Sequence, residues 1–284
     1  MSDAQKPESL PSAKSRTKIV ATVGPACQSP EMLRKLIRTG VDVFRINTAH
    51  GTRAEHQATL DAVRQASADC GRPVGALVDL AGPKIRLGQL IEDPTECPLG
   101  AEFRFIRGNT PGKANEFTCT YESLVTELSV GDRVMLADGT VSLQVVAKDE
   151  SSAHCLVTGA GFVRSRQGVN LPGVSLTVPA LTEADISNAI WAAQAGADFI
   201  SLSFVRSPVE VRQLKELVRS HDSRALVIAK IEKGEALEQL DEIVLAAGGV
   251  MVARGDLGVE IDLAETPVVQ KRIIEVCQRL AKPV

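Results

Sequence analysis

Two strand-like segments of this 284-residue chain each end in residues that could do chemistry. One apolar run leads into Lys230 and Glu232, and another leads into Gly255 and Asp256. In a parallel barrel the carboxyl ends of strands share one rim, so we expect these side chains to meet there. The two carboxylates suit a divalent metal with oxygen ligands, and Lys230 suits the charge of a transferring phosphoryl group. The Gly255 and Asp256 amides, at a helix start, could receive a ligand carboxylate.

Either carboxylate alone would be interpreted as a helix cap or as the partner of a nearby cation. Their joint position after buried strands, with a lysine beside them, favours a site for a phosphorylated or enolic substrate.

Further polar residues follow other predicted strands. Arg45, Asn47 and His50 lie at the end of the second strand, and Arg86 follows the third. Several cations at one rim of a chain with a net charge of −3 indicate a phosphate-rich ligand. The sequence contains no GxxxxGK[ST] and no GxGxxG motif, so a nucleotide would not be bound by a P-loop or a Rossmann turn.

The composition argues against several classes of protein. The near-neutral charge gives no support for nucleic-acid binding. The six cysteines form no CxxC pair and the four histidines show no metal spacing, which indicates reduced thiols in a cytoplasmic protein without a zinc site. No apolar run approaches the length of a membrane span, and the N-terminus lacks the apolar core of a signal peptide, so we expect no membrane partner.

Strand and helix signals alternate along most of the chain. Ser29 followed by Pro30 predicts a helix start, and Thr52 with Glu55 predicts a capping box at the start of the next helix. Such alternation predicts an α/β fold, either a barrel or a doubly wound sheet. Chemistry-bearing residues follow almost every strand rather than one switch point, which favours a (β/α)8 TIM-type barrel.

The alternation is interrupted by short strand-like runs with turn pairs and without a predicted helix, which indicates a small inserted all-β domain. About six of eight βα units are expected. Six strands leave open sheet edges, so we expect the chain on its own to aggregate and to show no measurable turnover. The predicted organisation is a disordered lead-in (1–16), the first part of the barrel (17–87), the inserted β domain (88–172) and the second part of the barrel (173–284).

Several segments resemble the pyruvate kinase family. They are spread over the chain from Thr17 to Val284, and the pair Lys230–Glu232 and Met251–Glu260 is highly specific. The matching segments are Thr17–Pro25, Arg45–Asn47 with His50–Gly51, Gly82–Arg86, Gly168–Gly173, Lys230–Glu232 and Met251–Glu260.

The resemblance implies the glycolytic transfer of a phosphoryl group from phosphoenolpyruvate to ADP, giving pyruvate and ATP. Glu232 and Asp256 would hold Mg²⁺, while Lys230 and Arg45 would neutralise the charge on the moving phosphoryl oxygens. Phosphoenolpyruvate would contact Lys230, Arg45, Asp256 and Gly255.

The resemblance also implies a nucleotide site and a lid. Asn47, His50 and Arg86 would contact ADP, and the β domain would close over the site and exclude water. The family usually has two lysines where this chain has Arg166 and Gln167, so one cation for the nucleotide phosphate is missing. Family members are typically homotetramers, and their barrel continues with a seventh and an eighth strand and a C-terminal domain.

One set of departures matches the K⁺-independent, lysine-containing members of the family. Asn47 and Asp79 are present, but Ala49 and Leu80 replace a serine and a threonine that hold K⁺ in most members. Lys84 replaces a glutamate, and its ammonium would supply a tethered charge in place of the ion. We therefore expect that K⁺ is not required.

Two other functions stay open at this point. A Mg²⁺-dependent lyase or aldolase acting on a pyruvate enolate could also use a glutamate and an aspartate at strand ends, but would need neither a β lid nor the nucleotide residues. A non-catalytic remnant would bind phospho-ligands or nothing.

Overall fold

A computed structural model describes residues 17–108 and 110–284. The predicted lead-in, residues 1–16, lies outside the described residues. The described chain forms two compact units. The first comprises the described residues up to Ala81 with Glu183–Ser201 and Leu214–Val227, and the second comprises Gly82–Thr182, Leu202–Gln213 and Ile228–Val284.

Strands and helices alternate in the first and last thirds of the chain, with a strand-rich segment between them. The elements before and within that segment are β1 (Val20–Thr22), α1 (Pro30–Thr39), β2 (Val43–Asn47), α2 (Arg53–Cys70), β3 (Gly75–Asp79), β4 (Thr95–Cys97), β5 (Glu102–Ile106), β6 (Glu116–Phe117), α3 (Leu124–Glu127), β7 (Arg133–Leu136), β8 (Val141–Lys148), β9 (Ser152–Gly159), β10 (Gly161–Val163) and β11 (Val169–Asn170). The later elements are α4 (Glu183–Gln194), β12 (Phe199–Leu202), α5 (Pro208–Ser220), β13 (Leu226–Ile231), a 3₁₀ turn (Gly234–Leu237), α6 (Leu240–Ala246), β14 (Gly249–Val252), α7 (Arg254–Glu260) and α8 (Thr266–Arg279).

Local sequence signals set the starts of the first two helices. Ser29 caps α1 by accepting a hydrogen bond from the Met32 amide at 3.3 Å, and Pro30 occupies the first turn. Thr52 and Glu55 form both hydrogen bonds of a capping box at α2. These contacts satisfy amides that have no partner inside the helix, and they confirm both predicted starts.

The first unit contains parallel strands whose carboxyl ends carry polar residues. In β1, β2 and β3 the register pairs Thr22 with Arg45, and Asn47 with Asp79. β12 continues the parallel arrangement beside β3, with Ser201 opposite Asp79. The register therefore brings these polar side chains to the same end of neighbouring strands. The apolar cluster of this unit includes Leu33, Ile37, Phe44 and Val63, all fully buried.

The strand-rich segment of the second unit has its own sheet and core. Its six strands are ordered β11-β7-β8-β9-β5-β6, and β4 pairs with β10 in a separate antiparallel ribbon. Phe103 and Phe117 stack with their ring centroids 4.8 Å apart inside its apolar cluster. The expectation of no helix here was wrong, because α3 forms one turn that buries Leu124 and Val125. A single turn is too short to show helical periodicity in the sequence.

The second unit also contains the parallel pair β13 and β14, with Lys230 opposite Met251. α7 begins directly after β14, so Gly255 and Asp256 lie in the first turn of a helix, as the sequence predicted. Parallel strands alternating with helices, together with an inserted β domain, confirm an α/β fold with part of a TIM-type barrel. Among the described residues, no helix has both the length and the apolar composition to cross a membrane.

Candidate active site

Lys230 and Glu232 form a buried cluster at the end of β13. The Lys230 ammonium donates to Ser203 Oγ at 2.8 Å and lies 2.9 Å from Glu232 Oε1. The other Glu232 oxygen accepts the backbone amide of Phe204 at 2.6 Å. Because Glu232 is 1% exposed, its charge depends on these partners rather than on water.

Asp256 is the second carboxylate and is more accessible. It lies in the first turn of α7, and its Oδ1 is 3.7 Å from the ammonium of Lys84. Both of these side chains are about one third exposed. Gly255 precedes Asp256, and a Cβ at Gly255 would meet no atom within 4 Å, so space is open beside this backbone.

The two carboxylates influence each other electrostatically. Burial raises the pKa of Glu232, the Lys230 charge opposes this shift, and the Asp256 carboxylate reinforces it. A carboxyl group whose charge is disfavoured by burial and by a like charge gains most from a cation.

Hard oxygen ligands and this charge arrangement fit Mg²⁺ or Mn²⁺. Among the described residues, no group of three or more His, Cys, Asp or Glu side chains could hold a metal. The protein would therefore contribute the two carboxylates of Glu232 and Asp256, and ligand oxygens and water would complete the coordination, as is usual for Mg²⁺.

Arg45 is held in place by Asp79. The guanidinium donates to Asp79 Oδ2 from Nε, at 2.9 Å, and also from Nη2, and its Nη1 donates to Thr22 Oγ1 at 2.9 Å. Ser201 Oγ donates to the other Asp79 oxygen at 2.6 Å. Asp79 is 2% exposed, whereas the Arg45 side chain is 26% exposed. Arg45 therefore presents a fixed cation with an accessible face.

Asn47 and His50 belong to a turn that is fixed at both ends. Thr48 donates to the Asp79 carbonyl through its amide, at 3.0 Å, and through its hydroxyl, at 2.9 Å. The His50 carbonyl lies 2.7 Å from Nε2 of the buried His56. These contacts fix the backbone of the turn, and the Asn47 side chain accepts the Ala49 amide at 3.1 Å.

A cavity of about 660 Å³ opens beside this turn within the first unit. Its lining residues come from the loop after β1, the end of β2 with the turn that follows it, and α2. The lining residues include Gly24, Pro25, Asn47, His50, Gly51 and Glu55. The volume lies within the range of small-molecule sites.

Arg86 lies where the chain enters the β domain. Its Nη1 donates to the Arg166 carbonyl at 3.1 Å, and residue 86 bridges to Gly168 across the returning chain. Gln167 uses its side-chain oxygen to accept the Arg164 amide at 2.6 Å. Among the described residues the Arg86 guanidinium makes this one hydrogen bond, so its other N–H groups could bind a ligand. The Gln167 oxygen instead accepts a hydrogen bond within its own turn.

The residues proposed to replace K⁺ have other partners. Lys84 pairs with Asp256. A Cβ added at Gly168 would lie 3.3 Å from Lys84 Cε, so the aliphatic part of the lysine side chain lies close to the backbone of Gly168. Asp79 holds Arg45 and Ser201, as described above.

Sequence reasoning missed the partners of these side chains. Ser203 and the Phe204 amide bind the Lys230–Glu232 cluster, and Ser201 binds Asp79. The available signal was that Ser201 and Ser203 stand at the end of a strand, where chemistry-bearing residues also follow the other strands.

Comparison with known proteins gives one consistent result. The family model "Pyruvate kinase, barrel domain" matches residues 14–284. The chain is 44% identical over 269 residues to the pyruvate kinases of Mycobacterium intracellulare and Corynebacterium efficiens, covering 95% of this chain and 57% of each relative. It is 43% identical to the pyruvate kinase of Methylorubrum extorquens, covering 56% of that protein. The chain spans somewhat more than half the length of the relatives it matches. It belongs to the pyruvate kinase family, and the matched region is the barrel domain of that family.

Proposed function

We propose that this chain carries the phosphoryl-transfer residues of a glycolytic, cytoplasmic pyruvate kinase. In that reaction the bond between phosphorus and the enol oxygen of phosphoenolpyruvate breaks, and an ADP oxygen bonds to phosphorus. The released enolate takes up a proton to give pyruvate. The observation that carries the proposal is the buried Lys230 ammonium, held by Ser203 Oγ and Glu232 Oε1 beside the second carboxylate, Asp256.

Lys230 and Arg45 supply positive charge for the transferring group. Phosphoryl transfer spreads negative charge over peripheral oxygens, so fixed cations stabilise its transition state. Lys230 is fixed by contacts that include Ser203 and Glu232, and Arg45 is fixed by Asp79 and Thr22. Because both cations are preorganised, little reorganisation is needed during the reaction. We assign the substrate carboxylate to the amides of Gly255 and Asp256.

Glu232 and Asp256 would hold Mg²⁺ or Mn²⁺. When bound, the metal supplies Lewis-acid stabilisation of enolate and phosphoryl oxygens. Burial of Glu232 and the like charge of Asp256 support this assignment, since both raise the benefit of a cation.

Asn47, His50 and Arg86 are proposed to bind the nucleotide. The cavity beside the turn of Asn47 and His50 supports this assignment for the first two, and the guanidinium of Arg86 suits phosphate oxygens. We also propose that residues 88–172 form a lid domain. In the sequence this domain is inserted between the two barrel segments, residues 17–87 and 173–284. A closed lid would exclude water and protect the phosphoryl group from hydrolysis.

Lys84 is proposed to replace a monovalent cation. Its ammonium is 3.7 Å from Asp256, so a positive charge is already tethered beside one metal ligand. Ala49 and Leu80 offer no side-chain oxygen to a K⁺ ion.

The test is calorimetric binding of phosphoenolpyruvate with and without Mg²⁺. We expect Mg²⁺-dependent binding that Lys230→Met weakens at least about tenfold, since a charge-assisted contact contributes on the order of 1.5–3 kcal/mol. Lys271→Met is the control, because Lys271 is exposed on α8. Binding that is absent, or equal in Lys230→Met and the control, would refute the proposal.

A further inference from the structure

A second pair of charged side chains joins the same two elements as Glu232 and Asp256. Lys233 directly follows Glu232, and Glu260 lies four residues after Asp256 at the end of α7. The Lys233 ammonium donates to Glu260 Oε1 at 2.6 Å. The two side chains are 10% and 3% exposed. The proposed reaction uses neither of them.

The arrangement places an attraction next to a repulsion. Residues four apart lie on the same face of a helix, so Asp256 and Glu260 both project from one side of α7. From the end of β13, Glu232 repels Asp256, whereas Lys233 attracts Glu260. Coulomb interactions strengthen as groups are buried, so the attraction between Lys233 and Glu260 is larger here than at the surface.

We propose that Lys233 and Glu260 form a positioning pair that keeps Asp256 beside Glu232 before a metal binds. The inference rests on the proposed assignment of Glu232 and Asp256 as the metal ligands. Without the pair, repulsion between the two carboxylates would be relieved by movement of α7. The metal would then have to draw the carboxylates together, at a cost in affinity.

Asn170 contributes to the same cluster from the returning end of the β domain. It lies in β11 and is 7% exposed, and its side chain favours the charged form of Glu260, lowering the pKa of that carboxyl against the effect of burial. Asn170 and Lys233 therefore both stabilise the charge of the Glu260 carboxylate.

A role in folding alone must be distinguished from a role in positioning. Removing one partner leaves a buried charge without compensation and destabilises the protein, whereas replacing both partners by neutral residues of similar size is often tolerated. The informative protein is therefore the double variant Lys233→Met with Glu260→Gln, which removes the attraction without leaving an unpaired charge.

The experiment uses Mn²⁺ alone as the probe, titrated into the full chain and followed by electron paramagnetic resonance. Thermal unfolding and hydrogen exchange of the α7 amides are measured on the same samples. We expect the double variant to unfold within a few degrees of the unchanged protein and to bind Mn²⁺ about tenfold more weakly, as is typical when groups that orient metal ligands are lost. Exchange in α7 should be faster than in the unchanged protein.

Arg279→Met is the matched control, because it removes an exposed ion pair with Asp241. The Arg279 side chain is 60% exposed and that of Asp241 is 49% exposed. Charge reversal, Lys233→Glu with Glu260→Lys, should recover part of the Mn²⁺ affinity. A folded double variant with unchanged Mn²⁺ affinity would overturn the inference. If the unchanged protein binds no Mn²⁺, the metal assignment fails, and the positioning role is then judged from hydrogen exchange in α7. Exchange that is equal in the double variant and the unchanged protein rejects the role, whereas faster exchange in the double variant supports it.

Discussion

Asp79 binds the guanidinium of Arg45 through two hydrogen bonds to a single carboxylate oxygen, Oδ2. The other Asp79 oxygen accepts from Ser201 Oγ at 2.6 Å. This arrangement fixes a cation at the end of β2 while leaving one side of it accessible. Asp79 therefore affects the binding of a ligand to Arg45 indirectly, by fixing the position of the guanidinium.

The first prediction concerns this pair. Asp79→Asn keeps the size of the side chain but removes the charge that binds Arg45. We expect the free energy of unfolding, measured with urea, to fall by about 2 kcal/mol, since hydrogen bonds to charged groups contribute roughly 1.5–3 kcal/mol. Asp241→Asn is the control: its ion pair with Arg279 is exposed, so its loss should cost less than about 1 kcal/mol. Equal losses in the two variants would contradict the prediction.

The second prediction concerns Asp256. Asp256→Asn should abolish the Mg²⁺ dependence of phosphoenolpyruvate binding without unfolding the protein, because Asp256 is partly exposed and its only described ion pair is long, 3.7 Å. Calorimetry with and without Mg²⁺ measures the effect. Asp262→Asn is the control, since among the described residues its side chain accepts only the Ala264 amide. Unchanged Mg²⁺ affinity in Asp256→Asn would remove this residue from the metal site.

The third prediction is that K⁺ is not required. Ala49 and Leu80 supply no side-chain oxygen, so a monovalent cation would have too few partners to offset its dehydration. Phosphoenolpyruvate binding and any turnover should be equal in K⁺-free, Na⁺-free buffer and in buffer with K⁺. Lys84→Glu should weaken both and introduce a response to K⁺.

Lys35→Glu makes the same charge change at an exposed position of α1 and serves as the control for Lys84→Glu. A several-fold effect of K⁺ on the unchanged protein would count against the tethered charge of Lys84.

The fourth prediction concerns the thiols. Burial raises the pKa of Cys97 and Cys119 to about 11 and that of Cys155 to about 12. Only the thiolate reacts with iodoacetamide, so at pH 8 these three should be alkylated far more slowly than the partly accessible Cys27. Mass spectrometry of the labelled protein gives the order, and labelling in urea is the control.

The same shifts have a consequence for stability. Above about pH 9 the unfolded chain releases thiol protons that the folded protein retains, so stability should fall as the pH rises towards the folded values. Rapid labelling of Cys155 in the folded protein would show that it is not buried as described.

Local patterns in the sequence were sufficient for much of the fold. The starts of α1 at Ser29 and of α2 at Thr52 depend on hydrogen bonds between residues three apart, and such contacts are encoded within one helical turn. The short apolar runs before Lys230 and Gly255 likewise indicated β13 and β14. The single turn of α3 was missed because one turn carries too little periodicity.

The partner of each charged side chain was decided by the tertiary structure. Nothing in the sequence joins Glu232 to the Phe204 amide, Lys233 to Glu260 or Asp79 to Ser201, because these residues are far apart in the chain. Each pairing results from strand register or from helix placement. The sequence by itself determined which ionisable residues follow the strands and to which family they belong. The packing of strands and helices determined which of them are buried, and burial makes the partner of a charge decisive for its chemistry.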